Sequence, residues 1–434
     1  MSDRAIRAES GFRRDAVARA VAVAEDGARA ADAERCVSAR TLAALDEAGF
    51  ARHFVPRRFG GREGTFADVF RATAEVARGC ASAAWLGMLW SAHARFAALL
   101  PEEGRQDLWG ASPDVRIAAG LTPPSGAAVP VDGGWLLGGE WPVVSGADHA
   151  DWLLLCAPES PAAGPGAPNA PVPSADAVAG SGGPEDGAAD DGGKPERPRF
   201  RVCAVPRSAV TVVDTWRSSG MRGTASHTVL LPATTVPAGR TVPFDVLVAG
   251  GPPDGRARCH TAPAHLAGGL LFSAPALGAA RRALAEWSER LLPGAVPGTA
   301  GPAGSGPVGS GASPVREGQA ARLARAWADV EAVALLLSEA VRRADTGEIS
   351  PFAVARNRRD AAVGAERLAG AMDLLMGAGD ADLPDMNGDL GRHLRDVRAV
   401  ASHGALRVEG AAVAFADALP AAMEDRHRRH RLFA

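Results

Sequence analysis

The chain has 434 residues, 47% of them hydrophobic, with 47 Lys and Arg against 50 Asp and Glu and a formal net charge of -3 at pH 7. That is ample apolar material for two or three packed domains, and the near-neutral balance excludes the global basic field that draws a chain onto nucleic acid or anionic lipid. No apolar run of about 18 residues and no basic-then-apolar leader is present, so the expectation is a cytoplasmic protein without a membrane span.

Residues 12–110 read as helical. Apolar positions recur at three-to-four spacing, as in Val17, Ala20, Val21 and Ala24, and again in Phe66, Val69, Phe70 and Ala74. Pro56, Gly60 and Gly61 punctuate this region, and Pro101-Glu102-Glu103 suits a helix start, where proline is tolerated and acidic side chains favour the positive end of the macrodipole. From about Val115 the texture changes to short β-branched or aromatic runs bounded by Gly, Pro, Asp or Ser: 117–121, 134–144, 152–156, 200–205, 210–213 and 228–231. These predict an antiparallel β domain. Residues 158–198 and 293–314 are rich in Gly, Pro, Ala and Ser and almost devoid of large apolar side chains, which predicts two flexible inserts. Long one-faced apolar segments at 264–292, 317–346, 351–376 and 390–418 predict a four-helix bundle. The fold class is therefore α+β, with a helical domain over 1–112, a β domain over 113–240 and the bundle over 241–434.

Several chemistries lack support. The cysteines Cys36, Cys80, Cys156, Cys203 and Cys259 are odd in number, dispersed and without a CxxC pair, which suits reduced thiols rather than disulfides or zinc. The only lysine, Lys194, lies in an insert, so neither a Walker A lysine nor a buried Schiff-base lysine is available. Gly304 to Gly309 matches GxGxxG literally, but it sits in low-complexity sequence between two helices instead of in a βαβ unit. There is no GxSxG and no HExxH, and the acidic cluster from Asp380 to Gly388 has the wrong spacing for a calcium loop. The basic run at 426–431 reads as a solvated end. No metal ligand set emerges.

Two segments of the β region stand apart. In Gly139-Glu140-Trp141-Pro142-Val143-Val144-Ser145-Gly146-Ala147-Asp148-His149-Ala150-Asp151-Trp152, strand-like residues flank a Ser-Gly break with a tryptophan on either side. In Trp216-Arg217-Ser218-Ser219-Gly220-Met221-Arg222-Gly223-Thr224-Ala225-Ser226, glycines allow close backbone approach and hydroxyls can meet a polar edge. Both suit loops facing a planar, polar-edged ligand.

These two runs, the α, β, α order, the segment Val55-Pro56-Arg57-Arg58-Phe59-Gly60-Gly61 and the segment Cys80-Ala81-Ser82-Ala83-Ala84-Trp85 together resemble the acyl-CoA dehydrogenase fold. More narrowly, they resemble its flavin-dependent monooxygenase branch, the oxygenase components of two-component hydroxylases acting on para-hydroxyphenylacetate, steroid phenols and polycyclic antibiotics. The resemblance implies reduced FMN or FAD supplied by a separate NAD(P)H flavin reductase, dioxygen as cosubstrate, a C4a-hydroperoxyflavin as oxidant, and a homotetramer. It places Ser145 near flavin N5, Trp141 beside the isoalloxazine, and Gly146, Arg222, Gly223, Thr224, Ser226 and Arg395 among the flavin contacts. It also implies that Asp396 and His403, on the last bundle helix, serve the substrate side, with His403 taking a phenolic proton or orienting the substrate. Where some relatives have a further histidine two residues after the aspartate, this chain has Arg398.

Alternatives remain at this stage. Amine N-oxygenation is the nearest within oxygenases. A flavin-dependent acyl-CoA dehydrogenase would need a base, and no glutamate lies between Glu366 and Glu409, leaving only an aspartate such as Asp385 or Asp389. A non-catalytic scaffold without flavin is the third.

Overall fold

The computed structural model describes residues 11–121, 125–160, 198–252, 254–291, 317–376 and 388–432. Lys194, the GxGxxG match, Asp385 and almost all of both low-complexity inserts lie outside them.

The first region is helical: α1 (Arg14–Asp26), α2 (Ala28–Glu34), α3 (Ala39–Ala48), α4 (Phe66–Gly79), α5 (Ala81–Ala97) and α6 (Glu102–Trp109). Ser38 and Thr65 cap α3 and α4 by accepting the amides of Thr41 and Asp68, which supplies partners for otherwise unpaired first-turn donors. Helix α5, carrying Trp85, Leu86 and Met88, is buried on nearly every side. It packs against α4 on one side and against the later strand Ile117–Gly120 and helix Ala264–Leu291 on others.

The middle region forms two four-stranded sheets. Strands β1 (Ile117–Gly120), β4 (Trp152–Pro158), β5 (Phe200–Pro206) and β8 (Thr241–Pro243) pair in the order β1-β4-β5-β8. Strands β2 (Ala127–Val131), β3 (Gly134–Val144), β7 (His227–Pro237) and β6 (Thr211–Val213) pair in the order β2-β3-β7-β6. The expected all-antiparallel arrangement is corrected at one place: β1 and β4 run parallel, Ile117 opposite Trp152 and Gly120 opposite Leu155. Between them the chain leaves the sheet, forms the β2–β3 hairpin in the other one and returns, a crossover long enough for parallel pairing. The sheets share a core in which Leu153, Leu155 and Cys203 of one meet Leu137, Trp141 and Val229 of the other. Leu154 and Cys156, on the opposite face of β4, pack with Ala94, Ala97 and Trp109 of the helical region.

After the short helices α7 (Phe244–Ala249) and α8 (Arg258–Thr261) come the long helices α9 (Ala264–Leu291), α10 (Glu317–Thr346) and α11 (Pro351–Leu375). The segment read as one last helix is two, α12 (Asp389–Ala401) and α13 (Val408–Leu432), separated by a 3-10 turn over Gly404–Leu406. His403 makes this break by accepting the Ala405 amide at its side chain, so the backbone stops continuing the helix. No described helix is long and apolar enough to cross a membrane.

Candidate active site

Ser145 and Gly146 leave the end of β3 through a bulge between Trp141 and Val144. Val143, at φ 58, is held in the left-handed region that a β-branched residue seldom adopts. The 216–226 loop has two more such residues, Met221 at φ 54 and Ala225 at φ 45. Among the described residues, three of the five non-glycine residues with positive φ thus lie on the two segments singled out in the sequence. Strain concentrated in this way persists only where the surroundings fix it. The fixing contacts are visible: the Gly146 amide donates to the Thr224 carbonyl at 3.0 Å, and the Met221 amide donates to Asp396 Oδ1 at 2.5 Å. Gly220 has no room for a side chain, since an added Cβ would stand 2.2 Å from the Arg395 carbonyl oxygen.

The loops bring three hydroxyls together. Ser145 Oγ lies 2.7 Å from Ser226 Oγ, which lies 2.7 Å from Thr224 Oγ1. At one end Thr224 donates to the Met221 carbonyl at 2.9 Å; at the other the Trp85 indole N–H donates to Ser145 at 3.2 Å. Each hydroxyl has one proton, so the direction of the whole chain follows from where Thr224 places its own. With the Thr224 proton on the Met221 carbonyl, Ser226 donates to Thr224 and Ser145 donates to Ser226. In that arrangement Ser145 keeps a single open lone pair and no proton to offer. Thr224 and Ser226 are buried, whereas Ser145 is half-exposed and is the face that the chain presents.

Beside Ser145 stands an aromatic group drawn from three elements. The Trp85 ring is stacked on Phe272 of α9 at 5.3 Å, and His403 meets Trp85 at 5.4 Å and Phe272 at 4.7 Å. Burial among these rings pushes the His403 imidazolium below its usual range, so the neutral ring is favoured. Nδ1 accepts the Ala405 amide at 3.2 Å. The neutral ring therefore carries its proton on Nε2, which has no partner among the described residues, and His403 presents a donor.

Asp396 sits wholly buried behind the second loop. Burial raises its carboxyl above the ordinary range, against the opposing pull of the Met221 amide and of Arg392 and His393. Its contact makes it an anchor of the loop rather than a group facing the hydroxyls. Arg222 and Arg395 both turn to Asp32 of α2: Arg222 Nε donates to its carbonyl at 2.7 Å, and Arg395 Nη2 to its carboxylate at 2.6 Å. Arg395 Nε also holds the Ser219 carbonyl at 2.8 Å.

The structure thus brings Ser145, Gly146, Thr224 and Ser226 together, with His403 across Trp85. Trp141 is elsewhere, sealed in the sandwich with its indole donating to the Cys156 carbonyl at 2.8 Å. Gly223 packs its α-carbon against Ala31 and Ser82. Sequence reasoning gave no role to Trp85, although its segment was noted, nor to Phe272, whose position in an apolar helix looks like ordinary core. Among the described residues no group of three or more His, Cys, Asp or Glu is placed to hold a metal ion.

The model of the family described as acyl-CoA dehydrogenase, C-terminal domain, matches residues 270–408, which include most of α9, all of α10 to α12 and the His403 turn. The whole architecture is the acyl-CoA dehydrogenase fold. The 3-HSA hydroxylase from Rhodococcus sp. RHA1 superposes with a TM-score of 0.75 at 24% identity, covering 93% of this chain and 95% of that one. The HsaA monooxygenase from M. tuberculosis gives a TM-score of 0.73 at 26% identity, covering 93% of this chain and 97% of that one. In sequence the chain is 33% identical over 229 residues to the FADH(2)-dependent resorcinol hydroxylase, oxygenase component, of Rhizobium sp., which is 53% of this chain and 48% of the relative. The chain spans about half the length of this curated relative.

Proposed function

We propose that this chain is the oxygenase component of a two-component flavin-dependent monooxygenase, hydroxylating an aromatic or polycyclic small molecule of the kind met in antibiotic biosynthesis. The reading includes reduced FMN or FAD from a separate NAD(P)H flavin reductase, dioxygen as cosubstrate, and a cytoplasmic setting. The observation that carries it is the one-way hydroxyl chain ending at Ser145. A reduced isoalloxazine has an N–H at N5 and the oxidised ring a bare lone pair there, so an acceptor-only serine fits the reduced form. Flavin, when bound, supplies the electrons that activate dioxygen.

The protein's own part follows from its side chains. Ser145 accepts from the ring, and Ser226, Thr224 and the Met221 carbonyl keep it an acceptor. Asp396 and the Gly146 amide hold the two strained loops in register, so this polarity is set before the ligand arrives. Trp85 and Phe272 give the neighbouring space apolar walls that exclude water. His403 offers Nε2–H to the substrate. Between the two roles open to it, the cap on Nδ1 favours the donor, which holds a phenolic oxygen and favours its ionised form; acting as a base through Nε2 would require surrendering the Ala405 bond. A homotetramer is part of the reading, and the exposed apolar side chains Leu335 of α10 and Val413 and Met423 of α13 are supporting surfaces.

The test is anaerobic titration with reduced and oxidised FMN and FAD. The reading expects the reduced form of one of them to bind at least about tenfold more tightly. Equal or tighter binding of the oxidised form would remove its support.

A further inference from the structure

Helix α9 carries two adjacent glycines, and only one of them has a packing reason. A Cβ on Gly269 would stand 3.1 Å from Ala361 Cβ of α11 and 3.7 Å from the Ala405 carbonyl oxygen, so the missing side chain lets α9 meet α11 and the turn after His403. Gly268 is different, because a Cβ there would meet nothing within 4 Å. Glycine is the poorest helix former after proline, and at Gly268 no close approach offsets that penalty. Gly318 and Gly370 have the same open space but are exposed, whereas Gly268 is half-buried and so looks into a hollow. Its neighbours give the hollow a direction. Ala264, Gly268 and Phe272 follow one another along α9 at four-residue spacing, on one face of the helix. All three are half-buried, while Leu266, Leu270 and Leu271 on the other faces are sealed. Phe272 is the ring that meets Trp85 and His403. The row is therefore the floor of a partly open groove that starts beside His403 and meets no side chain at Gly268, about 6 Å along the helix from Phe272.

We propose that Gly268 is a specificity-determining residue of the site, the place over which the further fused rings of a polycyclic phenol lie while the reacting ring is held at His403. The proposal rests on the monooxygenase reading and narrows its substrate class from aromatic compounds in general to polycyclic ones. A floor of backbone and Ala264 beyond Phe272 offers a flat apolar ring system contact area with no side-chain polar group to satisfy. A one-ring phenol at His403 ends beside Phe272 and gains nothing from the absent side chain. A side chain at Gly268 would occupy the path of the longer molecule without touching the protein.

The experiment is calorimetric titration of the intact wild-type and Gly268→Leu chains with a three-ring phenol, anthrol, and a one-ring phenol, resorcinol, alongside hydroxylation of each with reduced flavin supplied by an added reductase. Gly268→Leu is expected to lower the preference for anthrol over resorcinol at least about tenfold, in affinity and in kcat/KM alike. Gly268→Ala is expected to raise the midpoint of thermal unfolding, since alanine replaces a helical glycine there without a clash, and to lower the preference by less than Gly268→Leu does. Equal losses for both phenols in Gly268→Leu, an undiminished preference for anthrol, or a lowered midpoint in Gly268→Ala would each overturn the proposal. The expected binding pattern with neither phenol hydroxylated by the wild type would support Gly268 as the selector and count against the monooxygenase reading.

Discussion

Replacing Ser226 by alanine tests the reasoning at the site most directly. In the proposed direction of the chain Ser145 donates to Ser226, Ser226 to Thr224 and Thr224 to the Met221 carbonyl. Ser226→Ala removes the acceptor and frees the Ser145 proton, so Ser145 can then donate to an oxidised ring or accept from a reduced one. In the wild type the reduced form gains a hydrogen bond of about 0.5–1.5 kcal/mol, and the oxidised form opposes two lone pairs at a cost of about 1–3 kcal/mol. The two together make a preference of roughly ten- to a thousandfold for the reduced form. The variant should lose most of that preference, mainly by binding oxidised flavin more tightly, while its fold survives the loss of one buried hydroxyl. Anaerobic titration of both redox forms into both proteins, followed by flavin fluorescence or absorbance, gives the ratio. A ratio unchanged by the substitution would refute the assigned direction of the chain.

Other substitutions probe the supporting structure. His403→Ala should lower phenol hydroxylation by about ten- to a hundredfold, as expected for loss of a hydrogen bond to a charged oxygen, and His403→Gln, which keeps a donor, should recover most of it; equal damage in both would favour a base over a donor. An amine substrate, already nucleophilic, should be little affected by His403→Ala under steady-state assay. Gly220→Ala forces its Cβ against the Arg395 carbonyl and should destabilise the fold by about 1–3 kcal/mol while weakening flavin binding; an unchanged unfolding midpoint would contradict the close approach. His93 is buried, its Nδ1–H donating to the Ile117 carbonyl, and burial lowers its pKa to about 4. The unfolded chain therefore binds the proton first, so the contribution of His93, roughly 3 kcal/mol, is complete above pH 6.5 and is lost as pH falls toward 4. His93→Asn, which keeps the donor without the titration, should show a shallower acid loss in denaturant unfolding between those values.

Much of the fold was legible because periodicity reports it directly: the three-to-four spacing around Val17 and Phe66 and the short β-branched runs after Val115 separate helix from strand. Strand direction leaves no such mark, and so the parallel pairing of β1 with β4 was missed. The last helix was overextended because alanine-rich sequence continues through Ser402-His403-Gly404, and the cap that ends it depends on where the imidazole turns. Of the candidate site, the two loops were singled out by their glycines and hydroxyls, which are out of place in a β core. Trp141 was misplaced because it shares a strand face with Leu137, and that face closes on the other sheet. Trp85 and Phe272 carried no distinguishing signal, since an aromatic ring lining a site and one filling a core follow the same spacing. The polarity of the hydroxyl chain arises from three separated segments and exists only in the folded molecule.

The central claim is that this chain inserts an oxygen atom from dioxygen into an aromatic substrate using reduced flavin. The direct measurement is mass spectrometry of products formed under ¹⁸O₂ from a panel of phenols and polycyclic aromatics, with reduced FMN or FAD supplied by an added flavin reductase and NADH. The account predicts a hydroxylated product carrying one ¹⁸O atom, formed only when the chain, flavin and reductase are all present. Quantitative return of the electrons as hydrogen peroxide across the panel, together with anaerobic bleaching of bound flavin by an acyl-CoA, would contradict it and identify a dehydrogenase.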